Sequence, residues 1–336
     1  MPVIRYLLDS GHHVTFAGNE WQRKYINESF AVIDTIHLDG YDVRYSKNVR
    51  GFLPALFMQL PRLMRTIKIE NKWLKDVLAK HHFDGIISDN RYGLYHDSIP
   101  NAIMTHQVAP QSGLGVLADK IVASLHAKML QRFNECWIVD VEGSPNLAGS
   151  LSHIKHLLVN TKYIGLLSQL GKNVVSEEHL LVILSGPEPQ RTMLSDMLWE
   201  QLKNYQGKVV FVEGSDNASE RNVPSHIEYH KRITADKLTP LMASASLVIC
   251  RSGYSTLMDL IALQKKAVII PTSGQTEQEY LGTHLHNKGV FFCAGQKNLD
   301  INNALQQSKT FPFNALPFTN AFEQYKAVVD EWLEKL

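Results

Sequence analysis

The sequence contains few cysteines, no long apolar run and almost no net charge. Cys136, Cys250 and Cys293 are far apart and match neither a disulfide framework nor a CxxC metal site. No stretch of about 18 uninterrupted apolar residues occurs, so no membrane-spanning helix is expected. The 34 Lys and Arg residues balance 33 Asp and Glu residues, and this net charge of +1 predicts no nucleic-acid partner. We expect a protein of the reducing cytoplasm.

In both halves of the chain, short β-branched runs alternate with longer helical patterns, which is typical of βαβ units around a parallel sheet. Strands are predicted at 13–17, 31–38, 84–88, 102–105 and 137–139, and then at 180–184, 209–213, 227–230, 247–250, 267–270 and 290–293. Turn-rich sequence from Gly143 to Leu170 separates the two sets and is interpreted as a linker.

This alternation predicts an α/β fold with two doubly wound, Rossmann-like domains. The predicted boundaries are 1–160 for the first domain, 161–318 for the second and 319–336 for a closing C-terminal helix. Ligands of such sheets bind outside the carboxyl ends of the strands, so we expect a cleft between the domains. Two independent domains with unrelated roles are the alternative.

The first candidate anion site follows the predicted strand at 180–184. The segment LLVILSGPEPQRT breaks at Ser185 and Gly186 and leads into a helix that begins near Arg191. Such a turn directs free backbone N–H groups and the positive end of a helix to a common point, which suits a phosphate. An ordinary strand-to-helix turn is the alternative.

A second candidate anion site follows the strand at 247–250. In LVICRSGYSTLMDL, Gly253 forms the turn and hydroxyl side chains surround the helix start, at Ser252, Ser255 and Thr256. Asp259 lies one turn further on, where its carboxylate can accept hydrogen bonds from ribose hydroxyls. The alternative is N-capping by a serine, with Asp259 merely solvated.

A polar loop follows the apolar strand at 267–270. Its sequence after Pro271, TSGQTEQEYL, contains Gln275, Gln278 and Glu279. Sugar hydroxyls need both donors and acceptors, and a loop rich in amides and carboxylates supplies both. An ordinary surface loop is the alternative.

Taken in order, the Ser-Gly loop, the Arg-Ser-Gly-x-x-Thr turn and the polar loop resemble the C-terminal domain of glycosyltransferase family 28. The similarity extends over much of residues 180–295 and more loosely over 84–160. This family includes the N-acetylglucosaminyltransferase that forms lipid II of peptidoglycan. The resemblance implies a GT-B fold, in which the two Rossmann-like domains face each other across the cleft.

The resemblance also implies roles for individual residues on the donor side. It places Arg251, Ser252, Gly253 and Thr256 at the donor diphosphate, Asp259 at the ribose in place of the family's Glu, and Gln278 with Glu279 at the donor sugar. Gly186 falls in the phosphate loop, which is usually richer in glycine than this one. The uracil pocket is expected around Arg232 and Ile233.

In the first half, the segment NAIMTHQ resembles the strand and loop that face the acceptor. His106 falls where the family has a glutamate proposed to act in catalysis, and His can accept a hydroxyl proton near neutral pH. A structural His that bonds loop carbonyls is the alternative. Asp89, at the end of the preceding strand, is a further catalytic candidate by position.

The expected function is transfer of a sugar, an N-acetylhexosamine, from a UDP-sugar to an acceptor hydroxyl of a lipid-linked or cell-envelope glycan. No DxD-type carboxylate pair lies at a strand end, so neither a metal nor another cofactor is expected. Two alternatives are a UDP-N-acetylglucosamine epimerase, for which the cleft has no dense set of carboxylates, and a non-catalytic nucleotide-sugar-binding module.

A basic amphipathic segment, residues 52–68, indicates attachment to the inner face of a membrane. It reads FLPALFMQLPRLMRTIK and combines large apolar side chains with Arg62, Arg65 and Lys68. Such a segment can rest on anionic lipid and reach a lipid-linked acceptor. Packing of its apolar face into the first domain is the alternative.

The beginning of the sequence reads as the end of a helix rather than as a first strand. Residues 2–13, PVIRYLLDSGHH, close a helix near Gly11, and the next run then reads as a second strand. We expect the first strand and its glycine-rich loop to be encoded about 20 residues upstream. Without them, we expect this chain to bind nucleotide but to transfer sugar poorly.

Overall fold

The computed structural model describes residues 1–40, 52–112, 115–153, 160–170, 178–215, 220–318 and 320–336, without the side chains of 52–60 and 116. Its first half contains α1 (Pro2–Asp9), β1 (Thr15–Gly18), α2 (Glu20–Ser29), β2 (Asp34–His37), α3 (Phe52–Leu78), β3 (Ile86–Asp89), β4 (Asn101–Thr105), α4 (Val116–Leu130), β5 (Glu135–Ile138) and β6 (Thr161–Tyr163). All strand pairs of this half are parallel.

The second half contains β7 (His179–Ile183), α5 (Gln190–Leu202), β8 (Val209–Val212), β9 (Ile227–His230), α6 (Ala235–Ala243), β10 (Ala245–Cys250), α7 (Tyr254–Leu263), β11 (Ala267–Ile269), α8 (Thr276–Asn287), β12 (Phe292–Cys293), α9 (Ile301–Ser308) and α10 (Gln324–Leu333). Its strands form one parallel sheet in the order β12-β11-β10-β7-β8-β9. The predicted parallel α/β architecture is therefore confirmed.

Continuous apolar runs explain why the second sheet is central to its half. Every residue of β7 and β8 is buried, as expected for parallel strands that are covered by helices on both faces. The chain adds strands on one side of β7 and then returns to add β10 on the other side. The switch point of this sheet therefore lies between β7 and β10, whose carboxyl ends carry the two predicted anion loops.

The predicted linker is partly wrong, because β6 lies within it. Thr161 pairs with Cys136 and Tyr163 with Ile138, so β6 is the last strand of the first sheet. The first domain therefore extends beyond the boundary predicted at residue 160. A strand of three half-buried residues is too short to produce a recognisable alternation of apolar and polar side chains.

The last helix, α10, packs against the first half rather than the second. The Tyr6 hydroxyl donates to Asp330 over 2.6 Å, and the Tyr6 and Tyr325 rings meet edge to face at 5.8 Å. Trp332 is buried and contacts Trp137 edge to face at 5.6 Å. This helix therefore fastens the end of the chain to the domain in which the chain begins.

The strands of the first half lie in two separate sheets. One has the order β1-β2 and the other β3-β4-β5-β6. Residues of β1 and β3, including Phe16 and Ile87, line a common cavity of about 820 Å³, which Trp73 and Met104 also line. Among the described residues, β1 and β3 each pair with one strand, so each has an edge without a partner strand.

Candidate functional site

Three neighbouring strands of the second sheet, β7, β10 and β11, lead into helices whose N-cap residues make no side-chain hydrogen bond. The residues before these helices are Pro189 for α5, Gly253 for α7 and Gln275 for α8, and none accepts a capping hydrogen bond through its side chain. The first turns of α7 and α8 present free N–H groups and the positive end of the helix dipole, whereas in α5 the Thr192 N–H already donates to the Glu188 carboxylate over 3.3 Å. Together they form an edge that can bind a diphosphate.

The two turns at the switch point leave room for a ligand to approach the backbone. Gly186 has a φ of +105° and no neighbouring atom within 4 Å of a Cβ placed there, and the same open space surrounds Gly253. Ser185, beside Gly186, is exposed. The positive φ explains why Gly186 is required in this loop, since a side chain there would strain the backbone.

The Arg191 side chain already has two partners within the second half. Its guanidinium donates to the Gly214 carbonyl over 2.6 Å and pairs with Glu188. Burial raises the pKa of Glu188, but hydrogen bonds from Thr192 and Arg191 outweigh it and hold this pKa below its usual value. A phosphate that binds Arg191 must therefore compete with an ionised carboxylate.

Arg251 is almost completely buried, with only 1% of its surface exposed. The guanidinium donates to Gln296 Oε1 and to the Gln190 carbonyl, both over 2.7 Å. Two further bonds of 3.2 Å reach the carbonyls of Ile270 and Pro271. Burial lowers the pKa of Arg251 to about 10. Arg251 thus ties three loops together through contacts that the motif alone does not reveal.

Ser252 is also buried, whereas the next hydroxyls face outwards. The Ser252 hydroxyl donates to the Gln278 carbonyl over 2.8 Å and so connects the start of α7 to the first turn of α8. Ser255 is exposed and lines the cavity, and Thr256 is half-buried. The hydroxyls open to a ligand are therefore those within α7.

Asp259 is not a solvated surface carboxylate. It lines the cavity and accepts a 2.7 Å hydrogen bond from Ser168. Burial raises the pKa of Asp259 to about 6, and the Ser168 bond opposes this shift without cancelling it. A partly desolvated carboxylate on a cavity wall is suited to accept hydrogen bonds from hydroxyl groups.

The loop after β11 is organised by its own side chains. Gln278 Oε1 accepts from the Thr272 N–H over 2.9 Å, so the amide nitrogen of Gln278 remains as a donor. Glu279 accepts from the Gly274 N–H over 2.9 Å, and Gln275 precedes α8. The loop is therefore a shaped surface with polar groups on it rather than a loose connection.

The predicted uracil residues have separate surroundings. The Arg232 guanidinium lies over the ring of Trp21, 4.7 Å from its centroid, and so bridges the second half to the first. Ile233 packs against the principal core. Trp21 itself is 53% exposed, which is unusual for so large an apolar side chain.

His106 lies at the contact between the two halves. Its Nε2 atom is 2.8 Å from Glu277 Oε1, and its ring stacks on Tyr254 with centroids 4.3 Å apart. Asp89 faces the cavity, so water can reach its carboxylate although protein surrounds it, and this burial raises the pKa of Asp89. The structure thus brings together the two candidate catalytic residues, His106 and Asp89.

Sequence reasoning assigned no role to Glu277, Tyr254 or Ser168. Tyr254 stands at a variable position of the Arg-Ser-Gly-x-x-Thr turn, and Glu277 is 171 residues from His106. No sequence spacing connects residues of two domains. Of these three residues, only Glu277 could have been suspected from the sequence, because it lies in the polar loop beside Gln278.

Further hydrogen bonds join the halves on either side of His106. The Tyr254 hydroxyl donates to the Val139 carbonyl over 2.7 Å. Thr276 donates to the Gln111 carbonyl over 2.9 Å, and the Tyr280 hydroxyl accepts from the Ser150 N–H over 2.8 Å. Residues at the starts of α7 and α8 therefore contact both the donor-side loops and the first half.

Neither a metal site nor a membrane-spanning helix is found in the parts of the chain that the structure describes. Within them, no three His, Cys, Asp or Glu side chains are grouped as metal ligands. None of the helices in these parts of the chain combines the length and the apolar character needed to span a membrane.

Comparison with known proteins gives matches over both halves. A model of the glycosyltransferase family 28 C-terminal domain matches residues 187–327. The UDP-N-acetylglucosamine--N-acetylmuramyl-(pentapeptide) pyrophosphoryl-undecaprenol N-acetylglucosamine transferase of Histophilus somni is 22% identical over 322 residues, 91% of this chain and 84% of that protein. The calicheamicin glycosyltransferase CalG4 has a TM-score of 0.66 at 12% identity, over 100% of this chain and 94% of that chain. Acinetobacter baumannii MurG has a TM-score of 0.56 at 12% identity and the same coverage.

The fold, with its two parallel α/β halves, is that of the GT-B glycosyltransferases, and the chain is an enzyme of this class. Its second half matches the model of the family 28 C-terminal domain, so the chain is a family 28-like GT-B glycosyltransferase.

Proposed function

We propose that the enzyme transfers an N-acetylhexosamine from a UDP-sugar to an acceptor hydroxyl. The observation that carries this proposal is the pair of uncapped helix starts at α7 and α8 inside the segment that matches family 28. These helix ends hold the diphosphate by backbone N–H groups, so the leaving group needs no metal ion and no cofactor.

The remaining donor contacts are assigned to residues at the same edge. Asp259 accepts hydrogen bonds from the ribose, and the free amide N–H groups of Gln278 donate to sugar hydroxyls. His106 is the candidate general base that takes the proton of the acceptor hydroxyl as its oxygen attacks the anomeric carbon. Closure of the two halves excludes water from this reaction.

The acceptor in this proposal is lipid-linked and reached from the cytoplasmic face of the cell membrane. The Histophilus somni relative is named for an undecaprenol-linked acceptor. The side chains of 52–60 in the basic segment lie outside the described residues, whereas Met64, Arg65 and Lys68, at its other end, are exposed. Exposed apolar and basic side chains together support contact with anionic lipid.

Donor binding is tested by calorimetry with UDP-N-acetylglucosamine. Asp259→Ala and Gln278→Ala should each weaken binding by about 1 to 3 kcal/mol, because each removes a hydrogen bond to the ligand. Weaker binding of UDP itself is expected for Asp259→Ala alone, since Gln278 contacts only the sugar. Asp97→Ala, at an exposed site in the first half, is the control.

Turnover is tested by incubating the enzyme with UDP-N-acetylglucosamine and a lipid-linked N-acetylmuramyl-pentapeptide. Release of UDP together with a glycosylated lipid supports the proposal. Epimerisation of the sugar, or tight binding without turnover, identifies one of the two alternative functions. Unchanged donor affinity in both alanine variants would contradict the assigned site.

A further inference from the structure

The contact between His106 and Glu277 joins a residue of each half. His106 directly follows β4, and Glu277 lies in the first turn of α8, in the family 28 domain. Their Nε2 and Oε1 atoms are 2.8 Å apart, and their side chains are 19% and 34% exposed. The ring of Tyr254 lies parallel to the imidazole within 8° at 4.3 Å, and its hydroxyl is fixed on the Val139 carbonyl. The imidazole is therefore held on one face and at one edge.

The chemistry of this pair selects one tautomer of His106. A carboxylate can only accept, so in the neutral imidazole Nε2 carries the hydrogen and Nδ1 keeps its lone pair. The amide nitrogen of Gln107 is also 3.3 Å from Nε2, but a donor there cannot bond an Nε2 that already carries hydrogen. Within the described parts of the chain, no hydrogen bond engages Nδ1. Asp89, on β3, is the other charged group that faces this imidazole.

We propose that Glu277 is a positioning residue that holds His106 in the tautomer needed for a general base. This inference rests on the proposed glycosyl transfer. Nδ1 accepts the proton of the acceptor hydroxyl while that oxygen forms the new bond to the anomeric carbon. The bond from this carbon to the diphosphate breaks, and UDP leaves with the electron pair. The Glu277 carboxylate stabilises the imidazolium until it releases the proton to solvent.

The position of Glu277 couples this role to the donor. Glu277 directly precedes Gln278, the residue assigned to the donor sugar, and Ser252 fixes the backbone of the same turn through its bond to the Gln278 carbonyl. His106 belongs to the other half, so the pair forms only when the halves are together. The base is then oriented in the closed enzyme and loses its tautomer preference when the cleft opens, which limits wasteful hydrolysis of the donor.

The kinetic test compares Glu277→Gln, Glu277→Asp and a matched control. Glu277→Gln keeps the shape of the side chain but removes its charge, and kcat should fall by about 100-fold or more while the KM for UDP-N-acetylglucosamine changes by less than about twofold. Glu277→Asp should restore part of the loss. The control is Glu228→Gln, in a His–Glu pair with His230 at 2.9 Å, and should leave kcat unchanged. A change in KM alone, or a kcat within about threefold of the parent enzyme, would overturn the proposal.

A second measurement does not depend on turnover. Proton–nitrogen correlation spectra of the 15N-histidine-labelled enzyme, with His106 assigned through His106→Gln, should show hydrogen on Nε2 and none on Nδ1 near neutral pH. Glu277→Gln should produce a mixture of tautomers. An unchanged spectrum refutes the positioning role even if transfer is observed. The expected spectra without any UDP release would instead refute the proposed function and leave the positioning contact standing.

Discussion

At the scale of single residues, burial raises the pKa of Asp259 to about 6, and keeping this buried carboxylate charged lowers the free energy of unfolding. With a pKa of about 6 in the folded chain against 3.8 when unfolded, the folded state binds more protons between these values. The free energy of unfolding therefore falls as pH rises from about 4 to about 6 and stays lowered above that range. The penalty at neutral pH is at most about 3 kcal/mol, because each pKa unit corresponds to about 1.36 kcal/mol.

Asp259→Asn should remove this penalty. Urea unfolding near pH 7.5 should show a variant up to about 3 kcal/mol more stable than the parent, and the difference should shrink near pH 4.5. Asp97→Asn, at an exposed site, serves as the control for loss of one carboxylate. A gain of equal size at both pH values would show that burial of the charge is not the cause.

The ion pair with Glu188 occupies the Arg191 guanidinium, which a phosphate bound at the predicted loop would otherwise contact. Glu188→Gln should free the guanidinium and tighten UDP binding by about threefold to tenfold, which corresponds to about 1 kcal/mol. Isothermal titration with UDP measures this directly. Glu200→Gln breaks the comparable pair with Lys203 further along α5 and should leave the affinity unchanged. Weaker binding by Glu188→Gln would show that Glu188 orients Arg191 for the phosphate.

At the scale of elements, the packing of α10 against the first half depends on a close approach between Gly85 and Trp332. A Cβ on Gly85 would overlap the indole ring, and the ring is 3% exposed. Gly85→Ala should therefore lower the free energy of unfolding by about 1 to 3 kcal/mol. In a Trp332→Ala background, itself destabilised by about 3 to 5 kcal/mol, the same change should cost almost nothing.

Denaturant unfolding of the two single variants and the double variant provides the measurement. Gly295→Ala is the matched control, because no atom lies within 4 Å of a Cβ at that position. Additive losses would mean that the glycine acts through the backbone of β3 rather than through α10.

The strands of the second half could be predicted to within about two residues because most of them are compact apolar runs bounded by turn residues. The glycine turns at Gly186 and Gly253 were predictable for the same reason. The direction of Arg251 was not, since a motif gives the type of residue but not the side of the strand end that it faces. Nor was β6, whose three residues are all half-buried.

At the scale of the whole molecule, contacts between the halves are what the sequence could not provide. The His106–Glu277 pair, the Arg232–Trp21 contact and the Thr276–Gln111 bond each join residues far apart in the chain. Each combination depends on the relative placement of two folded units, which no local pattern encodes. The resemblance to known enzymes predicted a cleft between the two halves. Only the structure shows which side chains make contacts across it.

The division of the first sheet has a consequence for how the molecule behaves in solution. Among the described residues, the edges of β1 and β3 that lack a partner strand each offer a row of backbone donors and acceptors, and both strands line the same cavity. Such edges pair readily with any extended segment, whether from a peptide or from a second copy. We therefore expect copies of this chain to self-associate through the first half, and an added β-strand peptide should compete with that association.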